Sequence, residues 1–205
     1  MENLRARDYR RKASDACKPY SGRLALITLI YLLIMAVVAY IPLAILILGG
    51  PFTIGYIIVV KKTVNSTEPA YEDIFGGFND KIGSSIVTYI LETIFVFLWS
   101  LLLIIPGIIK SYAYAMSMYL VNDEGLSGTE AITKSRELMH GNKWKLFCLD
   151  LSYIGWWILC ILTFGILTLW VNPKFETARY LFYLHISGKD AVKTEQIEAE
   201  VKTEE

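Results

Sequence analysis

Four charged side chains lie inside long apolar segments of this chain, and they are the residues whose types could do chemistry. They are Glu92, Asp150, Glu176 and Arg179. A charge at the centre of a bilayer costs about 2.5–3.5 kcal/mol on insertion scales, so such groups face the interior of a helical bundle and pair there. We expect these four to form one buried polar cluster. That cluster either holds helices in register or lines a path for protons, ions or a small solute.

The spacing of three of these residues predicts that they share one layer. Outer turns of the chain are predicted at Pro106, Gly107 and Gly165. Glu92, Asp150 and Arg179 each lie about four helical turns from the nearest of these turns. Equal distances from turns on one side of a membrane place side chains at equal depth. Glu176 precedes Arg179 by three residues, a spacing that allows contact on a helix.

A second chemical feature is the pair Asn172 and Pro173 in the last apolar segment. This pair predicts an interruption of that helix. Breaks in membrane helices are tolerated where the freed carbonyl groups line a cavity, and they accompany transporter sites. The sequence contains no motif typical of a hydrolase nucleophile, a zinc protease, a P-loop or a dinucleotide site. We therefore expect no enzymatic activity, no cofactor and no metal site.

The elements that must position these residues are set by composition and charge distribution. The chain has 205 residues, of which 54% are hydrophobic, and 20 basic residues balance 20 acidic ones. This balance gives no reason to expect nucleic-acid binding. The pattern predicts one integral membrane domain over residues 1–188, in which residues 1–23 are a basic cytoplasmic leader. That leader is either a helix on the membrane surface or a solvated segment. Residues 189–205 are predicted to be an acidic, disordered tail.

The predicted fold is an all-α, polytopic transmembrane helical bundle of about six spans. We expect three hairpins with short outer turns, over residues 24–60, 82–121 and 146–186. The first of these segments carries no charge and is long enough to cross a bilayer nearly twice, so it must reverse. Reversal is predicted either at Pro42 or at Gly49-Gly50-Pro51. The part between Phe52 and Val60 is therefore either re-entrant or the end of a full span.

Basic residues indicate the orientation of these spans. The arginine-rich leader and Lys61-Lys62 are both predicted to be cytoplasmic, which requires an even number of crossings between them. We expect a multi-pass protein of the cell membrane with both termini cytoplasmic. Tyr112, Tyr114 and Tyr119 are expected in the headgroup layer, and Lys110 is expected to reach the outer surface.

Two loops on the cytoplasmic side are predicted to contain structure of their own. The first carries Ile74, Phe75 and Phe78, which we expect at the membrane interface. In the second, Ser127 and Glu130 have the spacing of a capping box that begins a helix, and Gly141 is placed to end that helix. This predicts an amphipathic cytoplasmic helix. Its apolar face either lies on its own domain or binds a protein partner.

Residues 5–187 resemble a family of bacterial integral membrane proteins known as domain of unknown function 975. The resemblance is carried by Phe97 to Lys110, by Glu130-Ala131-Ile132, Ser135, Met139, Gly141, Lys143-Trp144 and Leu146-Phe147, by Leu149 to Ser152 and Ile154 to Trp156, by Trp170 to Pro173, and by Asp73 to Phe78. It implies a polytopic helical membrane protein and no catalytic residues. The expected role is scaffolding or interaction in the membrane, with the lipid bilayer as the main partner. The alternative is a small transporter or channel that uses the buried polar layer.

Overall fold

The computed structural model describes residues 4–79, 81–102 and 104–189, and every regular element in these ranges is helical. The predicted tail lies outside the described residues from position 190 onward. The α-helices are α1 (Ala6–Cys17), α2 (Ser21–Ala39), α3 (Pro42–Val64), α4 (Ile82–Leu102), α5 (Ile104–Tyr114), α6 (Ser117–Glu124), α7 (Gly128–Leu138), α8 (Lys143–Leu151), α9 (Ile154–Leu162) and α10 (Thr168–Ile186). A 3-10 helix covers Tyr71–Phe78. The all-α fold class is confirmed.

Four stretches of the described chain are long and apolar enough to cross a membrane. They are Ser21–Ala39, Ala44–Val64, Ile82–Leu101 and Lys143–Leu162. The fourth stretch contains α8 and α9, which are separated by a turn at Ser152 and Tyr153. Only 11% of the apolar window in the third stretch is buried inside the protein. Such an unburied apolar helix has a surface suited to lipid rather than to water.

The first apolar segment reverses early, between Ala39 and Pro42. Of the two predicted reversal points, Pro42 is right and Gly49-Gly50-Pro51 is wrong, because α3 continues through all three of these residues. Residues 52–60 therefore complete one long helix instead of forming a short separate arm. Proline at the first position of α3 is favourable, since the amide hydrogen it lacks would have no partner there.

The glycines of α3 allow other backbones to approach this helix closely. A Cβ atom on Gly50 would lie 2.4 Å from the carbonyl oxygen of Ser85 in α4. A Cβ atom on Gly55 would lie 1.8 Å from the carbonyl oxygen of Ile74 in the 3-10 helix. Ile74 is fully buried there, so its predicted place at the membrane interface is wrong. The sequence signal that indicated a turn thus belongs to close helix packing.

Helix α5 folds back along α4. A Cβ atom on Gly107 would lie 2.8 Å from the Cα atom of Ser100, and the rings of Phe95 and Tyr114 lie 6.2 Å apart further along the same pair. The predicted turn at Pro106 and Gly107 is therefore misplaced. Both residues lie in α5, which begins at Ile104. Pro106 is accepted in the first turn of a helix because amide hydrogens there have no intrahelical partner.

The turn between α9 and α10 lies where Gly165 predicts it. Phe164 and Gly165 have φ angles of 51° and 82°. The amide of Gly165 donates to the carbonyl of Cys160 at 2.8 Å and that of Phe164 donates to Ile161 at 3.2 Å, a Schellman pattern that ends α9. Helix α10 then runs without a break from Thr168 to Ile186 and contains Pro173. The predicted interruption at Asn172 and Pro173 is wrong.

Helix α1 is packed into the protein. The rings of Tyr9 and Phe182 lie 5.5 Å apart, and the Cys17 sulfur lies 3.4 Å from the hydroxyl oxygen of Thr177. Arg10 donates a hydrogen bond to the carbonyl oxygen of Ser152 at 2.7 Å. The basic leader is thus neither a solvated segment nor a helix that lies on a membrane alone. Its apolar side packs along the second half of α10.

The amphipathic helix predicted after Ser127 is present as α7. Ser127 occupies the N-cap position, but its side chain makes no capping hydrogen bond, so the capping box does not form. Ala131, Ile132 and Ser135 are buried, and Ser135 accepts a hydrogen bond from the backbone amide of Met116. The apolar face of α7 therefore lies on its own domain, against α4, α5 and α6.

The close approach at Gly55 yields a prediction. Gly55→Ala places a methyl group inside contact distance of the Ile74 carbonyl oxygen, so the 3-10 helix must move away from α3. We expect a clear fall in the thermal unfolding midpoint of the detergent-solubilised protein. Gly83→Ala in α4 is the matched control, because a Cβ atom there meets nothing within 4 Å and alanine favours a helix by about 1 kcal/mol over glycine. Equal effects of the two substitutions would contradict the packing role of Gly55.

Candidate functional site: a polar cavity between the helices

The centre of the site is a paired guanidinium in α10. Arg179 donates from Nε to Oδ1 of Asp150 at 3.2 Å and from Nη2 to Oδ2 at 3.0 Å. This bidentate arrangement matches the planar shapes of both groups and is the strong form of an ion pair. The Arg179 guanidinium also lies 5.1 Å from the centre of the Phe175 ring. The pair therefore joins α8 to α10 at one well-defined geometry.

Tyrosine hydroxyl groups from two further helices complete this arrangement. Tyr112 of α5 donates to Oδ2 of Asp150 at 3.0 Å, and Tyr119 of α6 donates to Oε2 of Glu176 at 3.3 Å. Glu176 also interacts electrostatically with the positive charge of Arg179. Both side chains point at half-buried carboxylates, a contact that their predicted headgroup position did not include. Their sequence spacing gave no sign of this role.

Glu92 of α4 differs from the other acidic groups. It is half-buried and lies close enough to Arg179 to feel its charge. Among the described residues it makes neither a hydrogen bond nor an ion pair within 4 Å. Its carboxylate therefore faces open space with only long-range compensation.

The open space is a cavity of about 880 Å³. Six helices line it, namely α2, α3, α4, α5, α6 and α10, and the lining includes Glu92, Glu176, Arg179, Asn172 and the tyrosines Tyr31, Tyr56, Tyr89, Tyr112 and Tyr119. Asn172 donates to the Tyr56 hydroxyl at 3.2 Å, and that hydroxyl lies 3.0 Å from the hydroxyl of Thr28. This size fits the range of small-ligand sites in proteins.

The four residues of the predicted cluster thus lie in and beside one cavity. Arg179 pairs directly with Asp150, while Glu92 and Glu176 share the cavity with it. Asn172 contributes an amide to the same cavity from an unbroken helix. The turn residues Pro106, Gly107 and Gly165 lie outside its lining. Sequence reasoning missed the five tyrosines, because tyrosine in an apolar segment equally indicates a membrane interface.

A second charged cluster lies at the ends of α3, α6 and α10. Lys61 pairs with Asp123 at 2.7 Å, and Lys189 pairs with Glu124 at 3.1 Å. Lys134 of α7 also pairs with Glu124. These contacts satisfy the carboxylates fully, so we assign this cluster to stability. It lies outside the predicted membrane segments.

Lys110 lies next to the loop helix instead of reaching a separate outer surface. Its ammonium group lies 4.5 Å from the centre of the Trp99 ring, and it lines a cavity with Thr133 and Arg136 of α7. The prediction for Lys110 is therefore wrong. Counting residues from a turn cannot show which helix lies beside a side chain.

The described residues contain no group of three or more His, Cys, Asp or Glu side chains that could hold a metal ion. The site is instead a set of hydroxyl, amide and carboxylate groups around one guanidinium. Such a set can bind a cation or a polar solute, or accept a proton.

Comparison with known proteins places part of this site in a family. Residues 101–190 match the family described as a protein of unknown function (DUF975). The match bears out the predicted resemblance over this stretch and does not extend to residues 5–100. The stretch contains Asp150, Glu176 and Arg179 and begins after Glu92. The chain matches no curated protein and no solved structure.

The Arg179–Asp150 pair yields a prediction for stability. Arg179→Gln leaves two half-buried carboxylates without a cation. Breaking a fully buried pair from one side costs about 3–5 kcal/mol, so we expect a smaller but clear loss here. Adding Asp150→Asn should recover part of this loss. Glu92→Gln should cost little, because Glu92 makes no hydrogen bond or ion pair with the described residues. The free energy of unfolding in mixed detergent micelles measures all three. Strictly additive effects of Arg179→Gln and Asp150→Asn would contradict a direct pair.

The second cluster yields a pH prediction. Burial would raise the pKa of the Glu124 carboxyl, but hydrogen bonds from Lys134 and Lys189 outweigh it and hold that pKa below its ordinary 4.5. A carboxyl with a lower pKa in the folded state stabilises the fold above its unfolded-state pKa. This stabilisation is lost as the pH falls through the folded-state value.

We therefore expect the thermal midpoint of Glu124→Gln to fall less than that of the wild type between pH 6 and about pH 3. Glu137→Gln, an exposed change on α7, is the control and should keep the wild-type pH profile. If Glu124→Gln and wild type lose stability in parallel, the lysines do not hold Glu124 in its charged form.

Proposed function

We propose that this chain is an integral protein of the bacterial cell membrane that carries a small cation or a proton across the bilayer without catalysing a reaction. The observation that carries this proposal is Glu92, a carboxylate on an apolar helix that faces a cavity of about 880 Å³ without a direct partner in the described chain. A residue that served only to hold helices together would be paired. An ionisable group left open at such a depth is typical of ion and proton pathways.

The charge around the cavity favours a cationic substrate. Glu92, Glu176 and a single guanidinium, Arg179, line the cavity, and Asp150 pairs with that guanidinium from outside the lining. Acidic groups in this set therefore exceed basic ones by two when all are ionised. A bound cation or proton would reduce this excess. The tyrosine hydroxyls and the Asn172 amide supply neutral oxygen ligands.

We propose the six-span arrangement of three hairpins for this protein, with both termini cytoplasmic. The arrangement is supported by the apolar residues at the turns of the three hairpins, which join α2 to α3, α4 to α5 and α9 to α10. The strongly exposed apolar residues are Val37 and Ile41 beside the first turn, Leu101 and Ile105 beside the second, and Phe164 in the third. Apolar tips of this kind suit immersion in the bilayer and its far interface better than contact with water.

A scaffolding or interaction role is the second candidate, because α7 presents a polar face outward. Glu130, Thr133, Arg136 and Glu137 are exposed on this face, while the apolar face is buried. A partner protein would therefore contact charged groups of α7, not an apolar groove. This role needs no transport.

Flux measurements separate the two candidates. Purified protein in liposomes, with an internal pH or cation indicator and an imposed potential, should show uptake of protons or of a monovalent cation. Glu92→Gln should reduce the rate at least about tenfold, since it removes the charge while keeping the shape. Glu130→Gln, an exposed change on α7, should leave the rate unchanged. No flux by folded wild-type protein would reject transport and favour the interaction role.

A further inference from the structure

A second cavity, of about 410 Å³, lies between α1 and the α9–α10 region. It is separate from the polar cavity described above. Five basic side chains line it, namely Arg7, Arg10, Arg11, Lys18 and Lys174. Asp15 is the one acidic residue in the lining, and two indoles, Trp156 and Trp170, complete it.

Four of the five cations in this cavity have no carboxylate partner among the described residues. Lys18 pairs with Asp15 at 2.9 Å, whereas Arg10 donates to the neutral Ser152 carbonyl and keeps its charge. Arg7, Arg11 and Lys174 have no carboxylate within 4 Å in the part of the chain that the structure describes. The cavity therefore holds a concentrated positive charge that the protein itself does not neutralise.

The cations are held on a fixed support. Helix α1 is anchored along α10 by the contact of Tyr9 with Phe182 and by that of Cys17 with Thr177. Ala13 is completely buried between these two points. Arg7 and Arg11 project from the same helix one turn apart, so α1 presents them together toward the cavity. Such a cluster is organised before any ligand arrives.

The rim of this cavity is apolar on the α9 side. Trp156 and Trp170 are 45% and 41% exposed, and Ile154, Ile158 and Leu159 of α9 are also exposed. Indole rings favour the layer where headgroups meet hydrocarbon. Phosphate-binding cations beside exposed indoles and an apolar helix face are the two halves of a phospholipid site.

We propose that this cavity binds the phosphate of an anionic phospholipid, with the acyl chains along α9. The recognised chemistry is a phosphate ester anion, held by Arg7, Arg11 and Lys174. A soluble phosphate compound shares that chemistry, but it has no acyl chains to cover the exposed apolar face of α9. This site is independent of the proposed transport function.

Lipid retention by the whole protein tests the proposal. The protein is purified in a mild detergent, incubated with phosphatidylglycerol or phosphatidylcholine, and the bound lipid is counted by native mass spectrometry. We expect phosphatidylglycerol to be retained at least about tenfold better than phosphatidylcholine. Equal retention of the two lipids would overturn the proposal.

A matched pair of variants separates a built site from general attraction. Arg7→Gln with Arg11→Gln should lower phosphatidylglycerol retention about tenfold. Arg5→Gln, at the N-cap of α1, with Lys12→Gln removes the same charge at exposed positions outside the cavity and should have little effect. Equal losses in both double variants would show diffuse attraction and overturn the site.

Two further measurements test whether a loss of lipid reflects misfolding and where the phosphate comes from. Lys174→Gln changes the site from α10 and leaves the sequence of α1 intact, and it should also lower phosphatidylglycerol retention. An unchanged lipid count in this variant, with a wild-type thermal midpoint, would contradict the assignment of Lys174. Inorganic phosphate at millimolar concentration should not displace the lipid. Full displacement would assign the site to a soluble phosphate compound and overturn the lipid source.

Discussion

The fold depends on how one guanidinium is accommodated among apolar helices. Arg179 cannot be left without counter-charge in such surroundings, because an unpaired buried charge costs several kcal/mol. Asp150 meets it in a bidentate pair, and the Tyr112 hydroxyl donates to Oδ2 of the same Asp150 carboxylate. Glu176 lies within its electrostatic reach and is held by Tyr119. Helices α5, α6, α8 and α10 are thus joined around the Arg179 charge. The cavity lies between these helices and α4, which contributes Glu92 to its lining.

Close backbone approach is the second determinant of the architecture. Gly50 and Gly55 let α3 touch α4 and the 3-10 helix with no intervening side chain, and Gly107 does the same between α5 and α4. Between apolar helices in lipid there is little hydrophobic driving force, so van der Waals contact and small residues decide association. The same glycines, when they stand beside a proline in a sequence, also indicate a turn. This double meaning explains why Gly49-Gly50-Pro51 and Pro106-Gly107 were predicted as reversals.

The candidate site could be predicted in part. Apolar runs with rare charges identified Glu92, Asp150, Glu176 and Arg179, since the cost of a charge in such a run makes each one informative. Their pairing could not be predicted, because residue counts give depth along a helix and not its rotation or neighbours. For that reason Arg179 meets Asp150 directly, and Lys110 lies beside α7. The packing of α1 against α10 could not be predicted either. The many cations of this segment indicate a solvated or surface helix, although Tyr9, Ala13 and Cys17 form a buried stripe along it.

The sequence by itself determined the helical class, the presence of helices apolar enough to cross a membrane, the resemblance that the family match bears out over residues 101–190, and the turn at Gly165. These are local properties, since they follow from hydrophobic length, residue pattern and the conformational freedom of glycine. Only the tertiary structure decided which tyrosines face the buried carboxylates, which glycines pack helices instead of ending them, and that Asn172 and Pro173 lie in an unbroken helix. Those features depend on the mutual rotation and crossing of helices, which is fixed by contacts between residues far apart in the chain.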